Sequence, residues 1–462
     1  MVMSVLDSAF LLAESREHPT HVALLQLFRP PPDAPPDFIA KFYRQLLEHT
    51  EIDAMMRRRA VRGPSTLGQW SWSEDTDIDL EYHVRHSALP GPGRVRELLA
   101  LVSRLHGTLL DRHRPLWEMH VIEGLEDGRF AVYTKIHHAL MDGVTAVNRV
   151  TRGLTTDPDG EAIPPWISRP TDSRAKRSGS GGGLSDVVAR IGDAAKFTGE
   201  LASTPAALVK AVVSTLRDEA ATLPFDAPET LFNVPIGGAR RFAAQSWPLA
   251  RVRAVGKAVD ATVNDVAVAM VSGALRRFLL DMDQLPERSL TAALPVSLRG
   301  SDGGDDGGAG NAVGLILCNL ATDQENPATR LARIRASTRH SKTILQSLSP
   351  TQVGLLISLM APGAALAPIP GLTQLVPPPF NLIISNVPGS REKLYWNGAE
   401  LVASYPLSIP ADGQALNVTL TSYAGQLEFG ITGCRTAVPH LQRLLGHLDD
   451  ELSDLERAVA AG

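Results

Sequence analysis

The densest chemistry in the chain is one short run: Lys135, Ile136, His137, His138, Ala139, Leu140, Met141, Asp142 and Gly143. A histidine suits acyl transfer. Its unperturbed pKa of about 6.5 leaves neutral imidazole near pH 7, able to take a proton from an attacking alcohol. The same group can return that proton to a departing thiolate. Backbone or side-chain donors would stabilise the tetrahedral oxyanion.

The elements around the run decide which histidine can act. Residues 130–136 alternate like a strand. Phe130, Val132, Thr134, Ile136 and His138 would then share one face, and Ala131, Tyr133, Lys135 and His137 the other. If the strand reaches residue 138, the two histidines point apart. One enters a cleft and the other supports the fold. Val144, Val147, Val150 and Leu154 follow at helical spacing. Asp142 is therefore either the N-cap of that helix or an electrostatic partner of the base. Gly143 would permit a positive φ or a close backbone approach. A metal site is the alternative chemistry for paired histidines. Neighbours on a strand diverge, however, and no second His or acidic cluster supplies further ligands at recognisable spacing.

Helices and strands fill both sides of this centre. Residues 21–28 read as a strand, 38–47 as an amphipathic helix, and 95–110 as a helix with Leu98, Leu101, Leu105 and Leu109 on one face. Composition shifts at residues 172–183, which are basic and then Gly/Ser-rich, the mark of a linker. Arg174, Lys176 and Arg177 there could touch an anionic surface. A helical stretch rich in Ala and Val follows at 184–217. A second α/β region starts near residue 240. Residues 262–282 predict a helix, because Thr262 and Asp265 have capping-box spacing. Residues 301–310 form an acidic, glycine-rich loop. Strand-like runs lie at 312–317, 381–384 and 414–421, and a last helix at 438–458. No short internal repeat is visible.

Length and charge bound the rest. A chain of 462 residues exceeds one hydrophobic core, so two domains and a connection are expected. A net charge of −5 gives no footprint for nucleic acid. The two cysteines, Cys318 and Cys434, are far apart and fit neither a disulfide framework nor a zinc spacing. The N-terminus lacks a basic region before its apolar residues and carries Asp7, so no secretory signal is read. Residues 343–390 contain no charged side chain, but Pro362, Pro368, Pro370 and the run 377–379 interrupt any span. This stretch is either a buried helix with an irregular loop or a surface that meets lipid or lines an acyl channel.

An ordered set of motifs adds to this reading. Besides the histidine run, the chain carries DIDLEYHVRHSALPGPG at 77–93 and Pro115-Leu116-Trp117. Further on come Asn264-Asp265-Val266, Pro295-Val296-Ser297-Leu298-Arg299, Gly310-Asn311 and Ser385-Asn386-Val387-Pro388-Gly389. Over nearly its whole length the sequence resembles the bacterial wax ester synthase/diacylglycerol acyltransferase family, and residues 6–28 resemble that family's opening strand region.

The resemblance implies an α/β fold of two chloramphenicol-acetyltransferase-like domains packed around a central active-site channel. Residues 1–168 would form the domain carrying HHxxxDG, 169–235 the linker and connecting helices, and 236–462 the second domain. The implied reaction esterifies diacylglycerol, and also long-chain alcohols, using acyl-CoA as co-substrate without a bound cofactor. His138 would be the general base. His137, Asp142 and Gly143 would hold the motif, and Asn264 would border the site. Pro115-Leu116-Trp117 reads as packing. Direct transfer is expected, since no cysteine or activated serine sits in the motif. The implied location is cytoplasmic, at the periphery of a membrane or lipid droplet. Two other readings share the pattern: transfer to an amine, sugar or carrier-bound acceptor, and a lipid-binding protein of the same fold. The chain departs from the family pattern at Thr20, where Met is common, and at Cys434, where an acidic residue is common.

Overall fold

The computed structural model describes residues 3–63, 68–167, 224–297, 313–348, 352–353 and 377–461. The expected linker at 172–183, the helical stretch at 184–217, the loop at 301–310, Leu298, Arg299, Gly310, Asn311 and most of the uncharged stretch at 343–390 lie outside them.

In the first half, the helices are α1 (Val5–Ala13), α2 (Phe38–Glu48), α3 (Leu80–His83), α4 (Val95–His106) and α5 (Gly143–Arg152). Its strands are β1 (His21–Arg29), β2 (Arg58–Arg62), β3 (Trp70–Glu74), β4 (Val84–Ala88), β5 (Trp117–Glu123) and β6 (Phe130–His137). The second half contributes β7 (Arg240–Pro248), α6 (Leu249–Ala258), α7 (Val263–Leu280), β8 (Thr291–Ser297), β9 (Val313–Asn319) and α8 (Pro327–Ser347). It ends with β10 (Leu382–Val387), β11 (Tyr395–Trp396), β12 (Ala399–Leu407), β13 (Leu416–Tyr423), β14 (Gln426–Cys434) and α9 (Arg443–Ala460).

Two six-stranded sheets organise these elements, in the orders β11-β12-β1-β6-β5-β4 and β7-β14-β13-β10-β8-β9. β2 and β3 form a separate antiparallel pair. β11 and β12 come from the second half of the chain, yet β12 pairs antiparallel with β1. The second half thus lends two strands to the sheet of the first, while the other sheet is built from the second half alone.

Alternation along β1 and β6 builds two cores. Val22, Leu24, Val132 and Ile136 pack with Phe42 and Leu46 of α2 and Val147 and Val150 of α5. Ala23, Leu25, Ala131 and Tyr133 pack with Leu98 and Val102 of α4 and with Phe242 and Ala244 of β7. All eight residues of β6 are buried, which is why its sequence is apolar on both faces up to Lys135. The second face is also where the halves meet. Phe242 N–H donates to Ser103 Oγ at 2.9 Å, and Arg240 donates to the Glu17 carbonyl at 2.9 Å.

α7 forms as its sequence predicts. Thr262 and Asp265 make a reciprocal capping box, and thirteen of its eighteen residues are buried. A helix apolar all round belongs inside a core. Gly273 serves that burial: a Cβ there would collide with the Glu451 carboxylate, which pairs with Arg330 of α8. Among the described residues no single helix is long and apolar enough to cross a membrane, although α6 and α7, bent by 101°, pass together by length and composition.

The strand expected at 21–28 forms as β1, and residues 5–13 ahead of it are helical. Ser4 caps α1 by accepting from Asp7 N–H at 3.0 Å.

Candidate active site

The pairing of β6 stops at His137, and the chain turns. His137 N–H donates to the Leu116 carbonyl and His138 N–H to the Thr20 carbonyl, both at 3.0 Å. Leu140 N–H then closes onto the His137 carbonyl at 2.9 Å, and α5 starts three residues later. Asp142 is its N-cap, accepting from Thr145 N–H at 2.7 Å. The histidines, Asp142 and Gly143 therefore occupy a single tight connection between a buried strand and a helix.

Gly143 does not play the part its type invites. Its φ is not positive, and an added Cβ would meet only Val22 Cγ1 at 3.9 Å, an ordinary contact. It is the first residue of α5 and nothing in its conformation demands glycine.

His137 is fully buried and faces inward. Its Nδ1 accepts from Ala139 N–H at 3.0 Å, so the ring proton sits on Nε2. That proton is aimed at Glu14 Oε1, 3.2 Å away, and Thr20 Oγ1, 3.1 Å away. Thr20 Oγ1 donates onward to the Phe10 carbonyl at 3.2 Å. Glu14 also pairs with Arg112, whose Nε donates at 2.9 Å. Burial works to raise the Glu14 pKa, but the His137 and Arg112 contacts outweigh it and hold the carboxyl below its ordinary value. Glu14 and Arg112 are absent from the sequence-based set. They lie far from the motif in the chain and only α1 brings Glu14 to it.

His138 is placed differently. It is half-buried, and its ring stacks on Phe10 with centroids 4.1 Å apart and planes 24° from parallel. Desolvation pushes its pKa down to about 4; the Asp142 charge opposes that shift and His137 adds to it. A neutral imidazole at physiological pH is a proton acceptor. Asp142 thus acts in two ways, as a cap and as a charge beside the His138 ring.

The remaining motifs divide between packing and the second half. Leu116 and Trp117 are buried; Trp117 stacks on Trp166 at 5.5 Å and donates from Nε1 to the Met56 carbonyl at 2.9 Å. This is the packing role expected of Pro115-Leu116-Trp117. Asn264, in the first turn of α7, accepts from Asn386 Nδ2 at 3.4 Å. That joins two motifs across the second half. Neighbouring Asp265 is buried, closes the capping box and accepts from Thr338 Oγ1 at 2.9 Å. Gly389 lets the chain after β10 pass against the Ser422 carbonyl, where any Cβ would collide.

The departures from the family pattern have structural consequences. Thr20 supplies the hydroxyl beside His137 and the carbonyl that anchors His138. Cys434 Sγ accepts from Gly237 N–H at 3.4 Å and lies 3.2 Å from Thr436 Oγ1. Burial would raise its pKa, but those hydrogen bonds lower it below the usual thiol value. The thiol therefore sits in a nest of donors that suits an acidic side chain. Among the described residues no three His, Cys, Asp or Glu side chains gather as a metal site would require.

A two-sheet α/β fold with a histidine pair, one buried and one half-buried, at a strand-to-helix turn fits the class of HHxxxDG acyltransferases. The model of the wax ester synthase/diacylglycerol acyltransferase catalytic domain matches residues 3–267, and that of the WS/DGAT C-terminal domain matches residues 309–456. The chain belongs to this family of enzymes. It is 49% identical to "Probable diacyglycerol O-acyltransferase tgs2" of Mycobacterium tuberculosis, covering 98% of each chain. With the O-acyltransferase WSD of Acinetobacter baylyi it shares 39% identity over 98% of this chain and 97% of that one. The solved wax ester synthase/diacylglycerol acyltransferase from Marinobacter aquaeolei VT8 superposes with a TM-score of 0.77 at 39% identity, with both chains fully covered. The first condensation domain of the CDA synthetase shares the fold alone, with a TM-score of 0.56 at 16% identity, over 99% of this chain and 95% of that one.

Proposed function

We propose that the protein transfers a long fatty acyl group from acyl-CoA to the free hydroxyl of diacylglycerol, with long-chain alcohols as second acceptors. His138 is the general base. It takes the hydroxyl proton as the alcohol oxygen attacks the thioester carbon. When the tetrahedral intermediate collapses, the C–S bond breaks and the imidazolium returns the proton to the CoA thiolate. The observation that carries this reading is the His138 ring, held against Phe10 and kept neutral by desolvation at the turn into α5.

Transfer is direct. Cys318 is buried and burial pushes its thiol up to about 12, which removes the thiolate an acyl-enzyme would need. Cys434 is engaged with Gly237 and Thr436. The lipid substrates call for peripheral contact with a membrane or lipid droplet. Leu12 of α1, 66% exposed, and Leu109, 36% exposed, are apolar side chains suited to it. Co-sedimentation with anionic vesicles at low salt checks this attachment.

The decisive assay offers labelled palmitoyl-CoA with diacylglycerol or hexadecanol to the protein and to His138→Ala. Labelled triacylglycerol or wax ester, reduced about 10²–10⁴-fold in the variant, is the expected result. Equal rates in the two proteins would remove His138 from the mechanism. Absence of ester from both acceptors, with folded protein, would favour another acceptor or lipid binding without turnover.

A further inference from the structure

The corner between α6 and α7 carries a surface depression of about 380 Å³, lined by Arg253, Gly256, Lys257, Asp260, Ala261 and Val263. Two cations, Arg253 and Lys257, stand four residues apart on α6 and face it together. Two more reach the same corner from α8: Arg335 lies 2.5 Å and Arg339 3.2 Å from Asp260. These are again four residues apart. Like charges at this spacing repel. The corner thus gathers four cations around one carboxylate.

That carboxylate does not neutralise them. Asp260 is 88% exposed, so its bridges are well screened. Among the described residues neither Arg253 nor Lys257 has a carboxylate within ion-pair distance. Arg335 is anchored through Nη1 to the Val259 carbonyl, while its Nε is enclosed without an acceptor among the described residues. A depression lined by Arg253 and Lys257, with Arg335 and Arg339 at its Asp260 edge, matches phosphoryl oxygens.

We infer that this corner binds the phosphate groups of the acyl-CoA nucleotide. The assignment of CoA as their source rests on the acyl-CoA reading above. Phospholipid headgroups carry the same phosphoryl chemistry, and the test separates the two. The site supplies affinity for the thioester donor and takes no part in the proton transfer at His138.

The test uses Arg253→Ala/Lys257→Ala, both exposed and on the helix surface, with Lys41→Ala/Arg96→Ala as a control for lost charge. Calorimetry with bare CoA needs no turnover. The site variant should bind CoA at least roughly fivefold more weakly than wild type, and the control should not. KM for palmitoyl-CoA should rise in parallel with kcat within about twofold, and rising salt should narrow the difference by screening. Unchanged CoA affinity in the site variant would overturn the inference. So would intact CoA affinity with lost binding to phosphatidylglycerol vesicles, which would assign the corner to a lipid headgroup. Weakened CoA binding in a protein that makes no ester would uphold the site and defeat the proposed reaction instead.

Discussion

The Glu14 carboxylate lies 3.2 Å from Nε2 of His137, with both side chains wholly removed from solvent. Because Ala139 N–H occupies Nδ1, the ring can present only a proton to Glu14. The pair fixes the ring of the first histidine, and with it the turn that aims the second. Arg112 completes the network from the far side of Glu14. Glu14→Ala should destabilise the fold by about 2 kcal/mol. That is less than the ~3–5 kcal/mol of a fully buried pair, because Arg112 is about a third exposed. Glu14→Gln keeps an acceptor for His137 and should retain more stability and more activity than Glu14→Ala. Thermal unfolding and kcat measured on both variants check this; equal behaviour of the two would show that only the volume of the side chain matters.

The His138 environment sets a pH profile. The proposed base acts only when neutral, and desolvation lowers the His138 pKa from 6.5 to about 4. Activity per unit of donor should therefore hold through pH 6 and fall only as pH approaches 4, given that the fold persists. Asp142 is the charge that favours the imidazolium. In Asp142→Asn that charge is gone, the pKa falls further, and the acid limb moves to lower pH. Asn remains an N-cap, so α5 should keep its stability. Profiles of kcat/KM for both proteins from pH 4 to 8 test the shift. An acid limb near 6.5 in the wild type would contradict the desolvated ring.

Much of this site was legible in the sequence, for reasons that can be traced to particular residues. The strand at 130–136 and the Asp142 cap follow from periodicity and spacing, which act within a few residues. The Thr262–Asp265 box did the same for α7. Glu14 was not legible, because its partner lies more than a hundred residues away and only the packing of α1 joins them. Nor were β11 and β12: nothing local says that a strand near residue 400 pairs with β1. α1 carries only a short local signal, the Ser4 cap ahead of nine residues, so no helix is legible there before the strand at 21–28.

A second buried carboxylate joins the sheets. Glu428 of β14 is fully buried and accepts the Ser404 N–H of β12, while among the described residues its other oxygen has no hydrogen-bond partner. Burial pushes its pKa up to about 8. The fold therefore prefers the protonated acid. Its contribution is fully present below the unfolded value near 4.5 and is lost as pH rises through about 8. Glu428→Gln, a neutral mimic, should raise the melting temperature at pH 8 and leave it nearly unchanged at pH 5. A variant destabilised equally at both pH values would show that Glu428 is ionised in the native protein.

Buried neutral histidines add to the loss of stability on the acid side, beside carboxylates such as Glu118, held at about 2 against burial by its His120 and Lys135 contacts. Burial lowers the pKa of His21, His83, His106, His120 and His138. Each is held neutral in the fold but gains a proton in the unfolded chain below about 6.5. Their contribution is present above that pH and is lost as pH falls toward the native values. For His106, pushed down to about 3, the loss reaches about 2 kcal/mol by pH 5. His106 bridges the two halves of the chain through the Ser408 carbonyl at 3.1 Å and bonds Tyr133 at 3.0 Å, so its protonation strikes a contact between them. His106→Gln should flatten the dependence of stability on pH between 7 and 5 while lowering stability at pH 7, since it keeps hydrogen-bonding capacity but cannot titrate. Denaturant unfolding at the two pH values measures both effects. Parallel pH slopes in the variant and the wild type would place the proton uptake at other histidines of the set.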